Sequence, residues 1–411
     1  MLDTVTTVYL IFMFMSLYFF SFFIILTVKN RKQLFSYPKP NINYFISVLI
    51  PVFNEEESIE DTIKHVLQIN YPKKKLEIIV INDGSTDNTE KIVKKLIKKY
   101  KQIRLINKKN SGKADSLNQG MEIARGELIA VVDSDSFPGK ESLKKLTGFF
   151  SDPQMGAVTS FVKVRNKDKN FFAKIQSIEY MILGWSRKLL DFIDSVYVTN
   201  GPLSLYRKSF AEKVGGFDKN TVTEDIDITW NMLYHNYKTG MCLDTEVTTI
   251  VPIKFKEWFR QRTRWGLGGL QAISKYRKMF LKRGMFGMFV LPYVSLSIII
   301  SIFVFLFSSY ILLKAILTKF LSTGYSIAIS TNLFLWSDIN LYPSIIIFYF
   351  VVLFTISTTY SWYVLTKTKY EKQLSIKKLF NILFYTLLYL SFYPTVWFAS
   401  IYRFVIKDYK W

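Results

Sequence analysis

"ISVLIPVFNEEESIEDTIKHVLQI" (residues 46–69) and "LEIIVINDGSTDNTEKIVKKLIKKY" (residues 76–100) share one pattern: an apolar run, a polar turn, then an amphipathic stretch of helical period. "IRLINKKNSGKADSLNQGMEIARG" (103–126) and "ELIAVVDSDSFP" (127–138) continue it with two more strands and a helix between them. The apolar runs do not alternate with polar residues, so the strands are expected to be covered on both faces, and strands separated by helices of this length imply βαβ units. The expected class is α/β, doubly wound around a parallel sheet.

In such sheets ligands bind beyond the carboxyl ends of the strands. Here those ends carry acids and amides. Pro51, Asn54 and Glu55 close the first run, Asp83 the second, and Asp133 and Asp135 the fourth. A dinucleotide site needs G-x-G-x-x-G at the first turn; "PVFNEE" has no glycine, and no P-loop is present either. Asp133 and Asp135, two apart in "VVDSDS", are spaced to reach one hard cation, Mg²⁺ or Mn²⁺, although a D-x-D in a solvated loop is common. "NDGSTDNT" also reads as ordinary turn and helix-cap chemistry. In "TVTEDIDITW", Thr223 is placed to cap a helix whose first turn holds Glu224, Asp225 and Asp227.

The chain has 411 residues, 50% of them hydrophobic and 17% aromatic, with a formal net charge of +22. This composition excludes a disordered chain and points to a membrane. Residues 6–28, 288–313, 341–365 and about 379–404 are apolar runs near the ~20 residues that cross a bilayer, giving four expected spans; 315–340 or the region of Pro394 is an alternative re-entrant or interfacial element. Lys29, Arg31 and Lys32 follow the first run and Asp3 precedes it, which places the N-terminus outside and the middle of the chain in the cytoplasm. The basic C-terminus, "RFVIKDYKW", conflicts with the outside location that four spans give it. No signal-peptide pattern is present, and the single Cys242 forms no internal disulfide and reads as structural. The basic clusters carry no nucleic-acid motif, so the expected partner is anionic lipid rather than nucleic acid.

Taken in order, "IPVFNEEESIEDTI", "VINDGSTDNT", "SGKADSLNQG", "VVDSDS", "TEDIDITW" and "RQRTRWGLGG" resemble the inverting glycosyltransferases of family 2, and within them the processive membrane synthases. The resemblance covers about residues 46 to 280 and implies a glycosyltransferase A-type nucleotide-sugar-binding domain inserted between transmembrane helices. The resulting organisation is an N-terminal anchor (1–28), a linker (29–45), the cytoplasmic catalytic domain (46–255), an interface-helix region (256–283) and a multi-span membrane region (284–411). By the same resemblance, Asp225 is the catalytic base. Pro51, Asn54, Glu55, Asp83, Lys113 and Asp133 hold the nucleotide sugar, and Asp133 and Asp135 the metal. Gly201 and Glu224 lie near the acceptor. Asp227 has no family role and is assigned to helix capping or solvent. His65 and His235 are read as structural.

Gln261, Arg264 and Trp265 match the Q-x-x-R-W signature of processive members. "EWFRQRTRWGLGGLQ" also reads as an amphipathic interface helix with Trp258, Phe259 and Trp265 at the membrane surface and arginines toward headgroups; the two readings are compatible. Length, the single N-terminal anchor, "MGAVTSFVKVRNK" and "KIQSIEY" are most like synthases of poly-β-1,6-N-acetylglucosamine. The resemblance thus implies a UDP-sugar substrate, a growing polysaccharide and a lipid bilayer as partners, and leaves room for a small membrane subunit. Two alternatives remain: a single-sugar transferase to polyprenyl or dolichyl phosphate, which shares Asp83 and the D-x-D pair without needing Gln261, Arg264 and Trp265, and a non-catalytic membrane scaffold that keeps the fold.

Overall fold

The computed structural model describes residues 4–328, 345–370 and 376–409. Eight strands form one sheet: β1 (Ile46–Val52), β2 (Leu76–Asn82), β3 (Ile103–Asn107), β4 (Leu128–Val131), β5 (Ser136–Pro138), β6 (Met155–Val164), β7 (Ser204–Arg207) and β8 (Lys238–Thr249). Thirteen α-helices are described: α1 (Thr4–Lys29), α2 (Ile59–Leu67), α3 (Thr89–Lys99), α4 (Lys113–Ile123), α5 (Ser142–Thr147), α6 (Phe171–Asp191), α7 (Lys208–Lys213), α8 (Glu224–Tyr234), α9 (Phe255–Lys275), α10 (Leu291–Ala328), α11 (Ile345–Lys367), α12 (Ile376–Phe384) and α13 (Tyr393–Val405).

The sheet order is β3-β2-β1-β4-β7-β6-β8-β5. The first four strands are parallel, as the βαβ pattern predicts, and every residue of β1 and β2 is buried. The expectation of a wholly parallel sheet is corrected beyond β4. There β7 pairs antiparallel with both β4 and β6, and β5 antiparallel with β8, so the sheet is mixed. Strand order reverses between β1 and β4, and the crevice at their carboxyl ends is the switch point where ligands bind in α/β sheets.

One core layer packs α2, α3 and α5 on the sheet through Ile59, Ile63, Val93, Leu96, Leu143 and Leu146; the other packs α4 and α8 through Leu117, Met121, Ile228 and Met232. A third core joins this domain to the apolar helices around Trp185, Trp230, Trp258 and Tyr389. The apolar helices are therefore packed on the domain rather than tethered to it. Tyr360 of α11 hydrogen-bonds Thr27 of α1 at 2.9 Å and accepts from the Trp185 indole of α6 at 3.0 Å, while Tyr9 and Phe307 stack at 4.6 Å.

Among the described residues four helices are long and apolar enough to cross a membrane: Thr6–Lys29, Phe286–Leu321, Phe348–Lys367 and Lys377–Val405. The stretch 315–328 continues α10, and 329–340 lies outside the described residues. The last span is irregular before Pro394. A π-helical turn at Tyr385–Tyr389 and a 3-10 turn at Leu390–Phe392 precede α13.

The junction between domain and last span is ionic. Arg262 of α9, 1% exposed, donates to Glu179 of α6 through Nε at 3.3 Å and Nη2 at 2.6 Å; Tyr389 donates to the same carboxylate at 2.8 Å, and Tyr393 also donates to it. Glu179, Arg262 and the Tyr389–Tyr393 pair lie far apart in sequence, so the network fixes three segments at once. Removing one member strands a buried charge, at a cost of about 3–5 kcal/mol. Glu179→Ala is expected to lower thermal stability of the detergent-solubilised protein by that amount, and adding Arg262→Leu to recover part of the loss. A double variant no more stable than Glu179→Ala refutes the account.

Candidate active site

A cavity of about 450 Å³ opens at the switch point. Pro51 and Glu55 follow β1, Asp133, Ser134 and Asp135 follow β4, and Lys113 begins α4. Asn200, Gly201 and Pro202 come from the loop before β7, Glu224 and Asp225 from the start of α8. The far wall is Tyr180 and Arg187 of α6, Gln261, Arg264 and Trp265 of α9, and Tyr393 and Trp397 of α13.

Lys113 is the electrostatic centre. Its Nζ lies 2.6 Å from Asp133 and 2.7 Å from Glu224. Burial pulls the amine down, yet Asp133, Glu224 and Asp225 together hold it above its ordinary value. Glu224 responds in the opposite sense: burial favours its neutral form, but Lys113 and then Arg264 keep its carboxyl below the usual range. Asp225, with no cation in contact, is pushed up to about 6 by burial and by the adjacent Glu224. Burial, Asp133 and Glu55 push Asp135 up to about 7.

The three acids of "TEDID" thus take separate tasks. Glu224 joins Lys113, Asp225 faces the cavity with Oδ1 accepting from the Ile226 N–H at 2.9 Å, and Asp227 turns the other way. The assignment of Asp227 to capping or solvent is corrected. It is 2% exposed and paired with Lys275 of α9 at 2.8 Å, because α9 lies across α8 and covers it. The capping role of Thr223 is corrected as well. Its hydroxyl makes no cap hydrogen bond, is buried without a partner among the described residues, and sits on the cavity wall against Gly268, where a Cβ would approach within 1.8 Å.

Gly201 is required by close approach. A Cβ there would lie 2.2 Å from Oδ2 of Asp133, and the Gly201 carbonyl accepts the Asp133 N–H at 3.1 Å. The loop that the sequence places near the acceptor also seats Asp133.

Two sequence candidates stand outside the cavity lining. Asp83 is buried and accepts from the N–H groups of Ser111 at 3.0 Å and Gly112 at 2.9 Å, with Lys108 ion-paired to it, so it anchors the loop leading into α4. Asn54, at φ 53°, accepts from the Thr86 N–H at 2.8 Å and ties the turn after β1 to that after β2. Trp258 is corrected too: it is fully buried, donating to the Tyr389 hydroxyl at 2.6 Å, rather than lying at a membrane surface. Trp265 does line the cavity, with the Arg262 guanidinium 4.0 Å from its ring centre. Arg187 and Trp397 had no motif to mark them, and Glu179 and Tyr180, within "KIQSIEY", were given no site role; the spacing of "KIQSIEYMILGWSRK" signals a long helix.

Among the described residues no group of three or more His, Cys, Asp or Glu could hold a metal ion by itself. Asp133 and Asp135 nevertheless fit a divalent cation. They are a pair of hard oxygen donors on one rigid strand end, and one or two carboxylates completed by substrate phosphates and water is what Mg²⁺ takes.

A family model for "Glycosyl transferase family 2" matches residues 47–215. A poly-β-1,6-N-acetyl-D-glucosamine synthase of Staphylococcus aureus is 31% identical over 299 residues, covering 71% of this chain and 72% of the relative. The synthase of the same name from Staphylococcus epidermidis is 29% identical over 356 residues, covering 86% and 80%. A mannosyltransferase of Pyrobaculum calidifontis, solved in complex with GDP-Man and Mn²⁺, superposes with a TM-score of 0.60 at 16% identity, over 95% of this chain and 99% of that one, a likeness of fold. With the switch-point acids, the mixed sheet and these matches in agreement, the chain is a glycosyltransferase and belongs to glycosyl transferase family 2.

Proposed function

We propose that the protein is a multi-pass cell-membrane synthase with a cytoplasmic catalytic domain, which polymerises a β-linked polysaccharide from a UDP-sugar, UDP-N-acetylglucosamine, and extrudes it. The observation that carries this reading is the continuity of the cavity: it runs from Asp133 and Asp135 past Asp225 to Trp265 of α9 and to Tyr393 and Trp397 of the last apolar segment. A donor end, a base and an aromatic end beside a membrane-compatible helix are what repeated addition and export require. The names of the staphylococcal relatives support the sugar.

In this reading Asp133 and Asp135 face the diphosphate and hold Mg²⁺ or Mn²⁺. When bound, the cation supplies positive charge opposite the departing diphosphate. Lys113, Arg264 and Gln261 act on the phosphates or the acceptor from the same cavity, and Glu224 holds Lys113 in place. Asp83 and Asn54 act on the nucleoside end through the loops they anchor. The acceptor hydroxyl oxygen attacks the anomeric carbon, the bond from that carbon to the diphosphate oxygen breaks, and UDP leaves with the electron pair. The hydroxyl proton passes to the Asp225 carboxylate. One in-line displacement inverts the anomeric centre, so an α-linked donor gives a β-linkage. Trp265 presents a ring face to the polymer. A small separate membrane subunit is compatible with this arrangement.

Detergent-purified protein given Mg²⁺ and labelled UDP-N-acetylglucosamine is expected to yield a high-molecular-weight product that a β-hexosaminidase degrades. A single organic-extractable glycolipid points instead to transfer onto a polyprenyl phosphate. Asp225→Asn should reduce transfer by about 10²-fold or more with UDP inhibition unchanged, and retained polymer formation in that variant overturns the base assignment. Because the folded-state carboxyl of Asp225 titrates near 6 and must be ionised to accept a proton, activity at saturating Mg²⁺ should rise as pH passes upward through about 6. An acid limb near 4 contradicts this. Gly201→Ala drives a methyl into the Asp133 carboxylate and should weaken Mn²⁺ binding, read by electron paramagnetic resonance, by roughly tenfold.

A further inference from the structure

One wall of the cavity has no task in the reaction described above. It belongs to Asn200, 9% exposed, and to Arg187, reaching across from α6. Thr159 Oγ1 accepts from the Asn200 N–H at 3.2 Å and donates its own proton to Asn200 Oδ1. Arg187 Nη1, which can only donate, reaches the same Oδ1 at 3.3 Å. Two donors converging on one atom fix it as the amide oxygen. The Nδ2 at the other end is buried, and it has no hydrogen-bond partner among the described residues.

Arg187 adds a half-buried guanidinium to the same wall. Among the described residues no carboxylate lies within ion-pair distance of it, unlike Arg262, which Glu179 holds at 2.6 Å. A buried donor without an acceptor is costly, and a cavity that keeps one beside a guanidinium with no carboxylate partner is built for an acceptor that arrives with the ligand.

Position narrows that acceptor. Gly201 follows Asn200 directly and packs against the Asp133 carboxylate, so the donor pair borders the place where the diphosphate is taken to bind. In a nucleotide sugar the diphosphate is bonded to the anomeric carbon, and the next ring carbon carries the 2-substituent. We propose that Asn200 and Arg187 bind the carbonyl oxygen of a 2-acetamido group on the donor sugar and thereby select 2-acetamido sugars over 2-hydroxy sugars. An amide carbonyl only accepts and extends beyond the ring. A 2-hydroxyl is shorter and brings a proton of its own, for which Asn200 Oδ1, already accepting twice, has little capacity. Neither residue is a catalytic residue in this scheme; they set specificity.

The inference rests on the nucleotide-sugar reading of the cavity, and the test separates the two. Full-length protein with Mg²⁺ is assayed with UDP-N-acetylglucosamine and UDP-glucose, as substrates and as mutual competitors, with UDP inhibition as the measure of the nucleotide end. The unsubstituted protein is expected to prefer the acetamido donor, and Asn200→Ala to reduce that preference by roughly tenfold while UDP inhibits as before. Arg187→Met, which leaves the bond from Thr159 to Asn200 in place, should act in the same direction and decides the matter if Asn200→Ala loses UDP inhibition. If either variant retains both UDP inhibition and the full acetamido preference, the specificity assignment is wrong. If the unsubstituted protein is inhibited by UDP but does not prefer the acetamido donor, the sugar named above is wrong and this assignment falls with it. Absence of UDP inhibition in the unsubstituted protein overturns the nucleotide reading itself.

Discussion

The charge balance around Lys113 is the constraint on which the site depends. Glu55, Asp133, Asp135, Glu224 and Asp225 all line one cavity, and Lys113 contacts Asp133 and Glu224 at 2.6 and 2.7 Å. Carboxylates gathered this closely raise one another's affinity for protons, and Glu55, Asp135 and Asp225, none of them ion-paired among the described residues, are pushed upward by burial and by their acidic neighbours. A single lysine therefore sorts the acids. Glu224, which it touches, is held below its usual range, Asp225 is left basic enough to accept a proton near neutral pH, and Asp135 is left short of a counter-charge in the place where a divalent cation fits.

The backbone is arranged to make this sorting possible. β4 ends at Val131 and delivers Asp133 and Asp135, α4 starts at Lys113, and α8 starts at Glu224, so strand end and helix starts converge on the reversal point of the sheet. Gly201 lets the loop before β7 lie directly on Asp133, where any side chain would displace the carboxylate. Antiparallel β7 is what brings that loop to the ends of the parallel strands.

Local signals made the first half of the fold readable. The buried runs of β1 to β4, the turns after them and the position of the D-x-D pair follow from patterns within some ninety residues, and the cavity gathers Pro51, Glu55, Lys113, Asp133, Asp135, Gly201, Glu224, Asp225, Gln261, Arg264 and Trp265 as the motifs imply. Failure came where a partner lies far along the chain. Asp227 reads as a helix-start acid until Lys275, 48 residues on, is seen to cover it. Trp258 reads as an interface aromatic until Tyr389 closes over it from 131 residues away. The direction of β7 was equally invisible, since four residues of strand carry no record of which neighbours they face. Asp83 and Asn54 sit beside the cavity rather than in it because short polar side chains after a strand serve the backbone of the next turn as readily as a ligand.

The same distance effect explains why the Q-x-x-R-W helix contains a residue more deeply placed than its signature positions. Gln261, Arg264 and Trp265 line the cavity, and Arg262, which also borders it, reaches into the junction, where Glu179 and the hydroxyls of Tyr389 and Tyr393 complete its surroundings. Tyr385, Tyr389 and Tyr393 are spaced four apart, and the π-helical turn at Tyr385–Tyr389 locally widens the helix, the kind of irregularity that re-aims side chains. The Glu179 carboxylate consequently receives donors from α9 and from the last apolar segment, and Ser400 of α13 adds a hydrogen bond to the Thr263 carbonyl at 3.1 Å. A displacement of α13 along its axis has to drag α9, and with it Trp265, or break a buried charged network. The cavity and the last apolar segment are for that reason one mechanical unit, and a ring stacked on Arg262 at 4.0 Å is positioned through that segment.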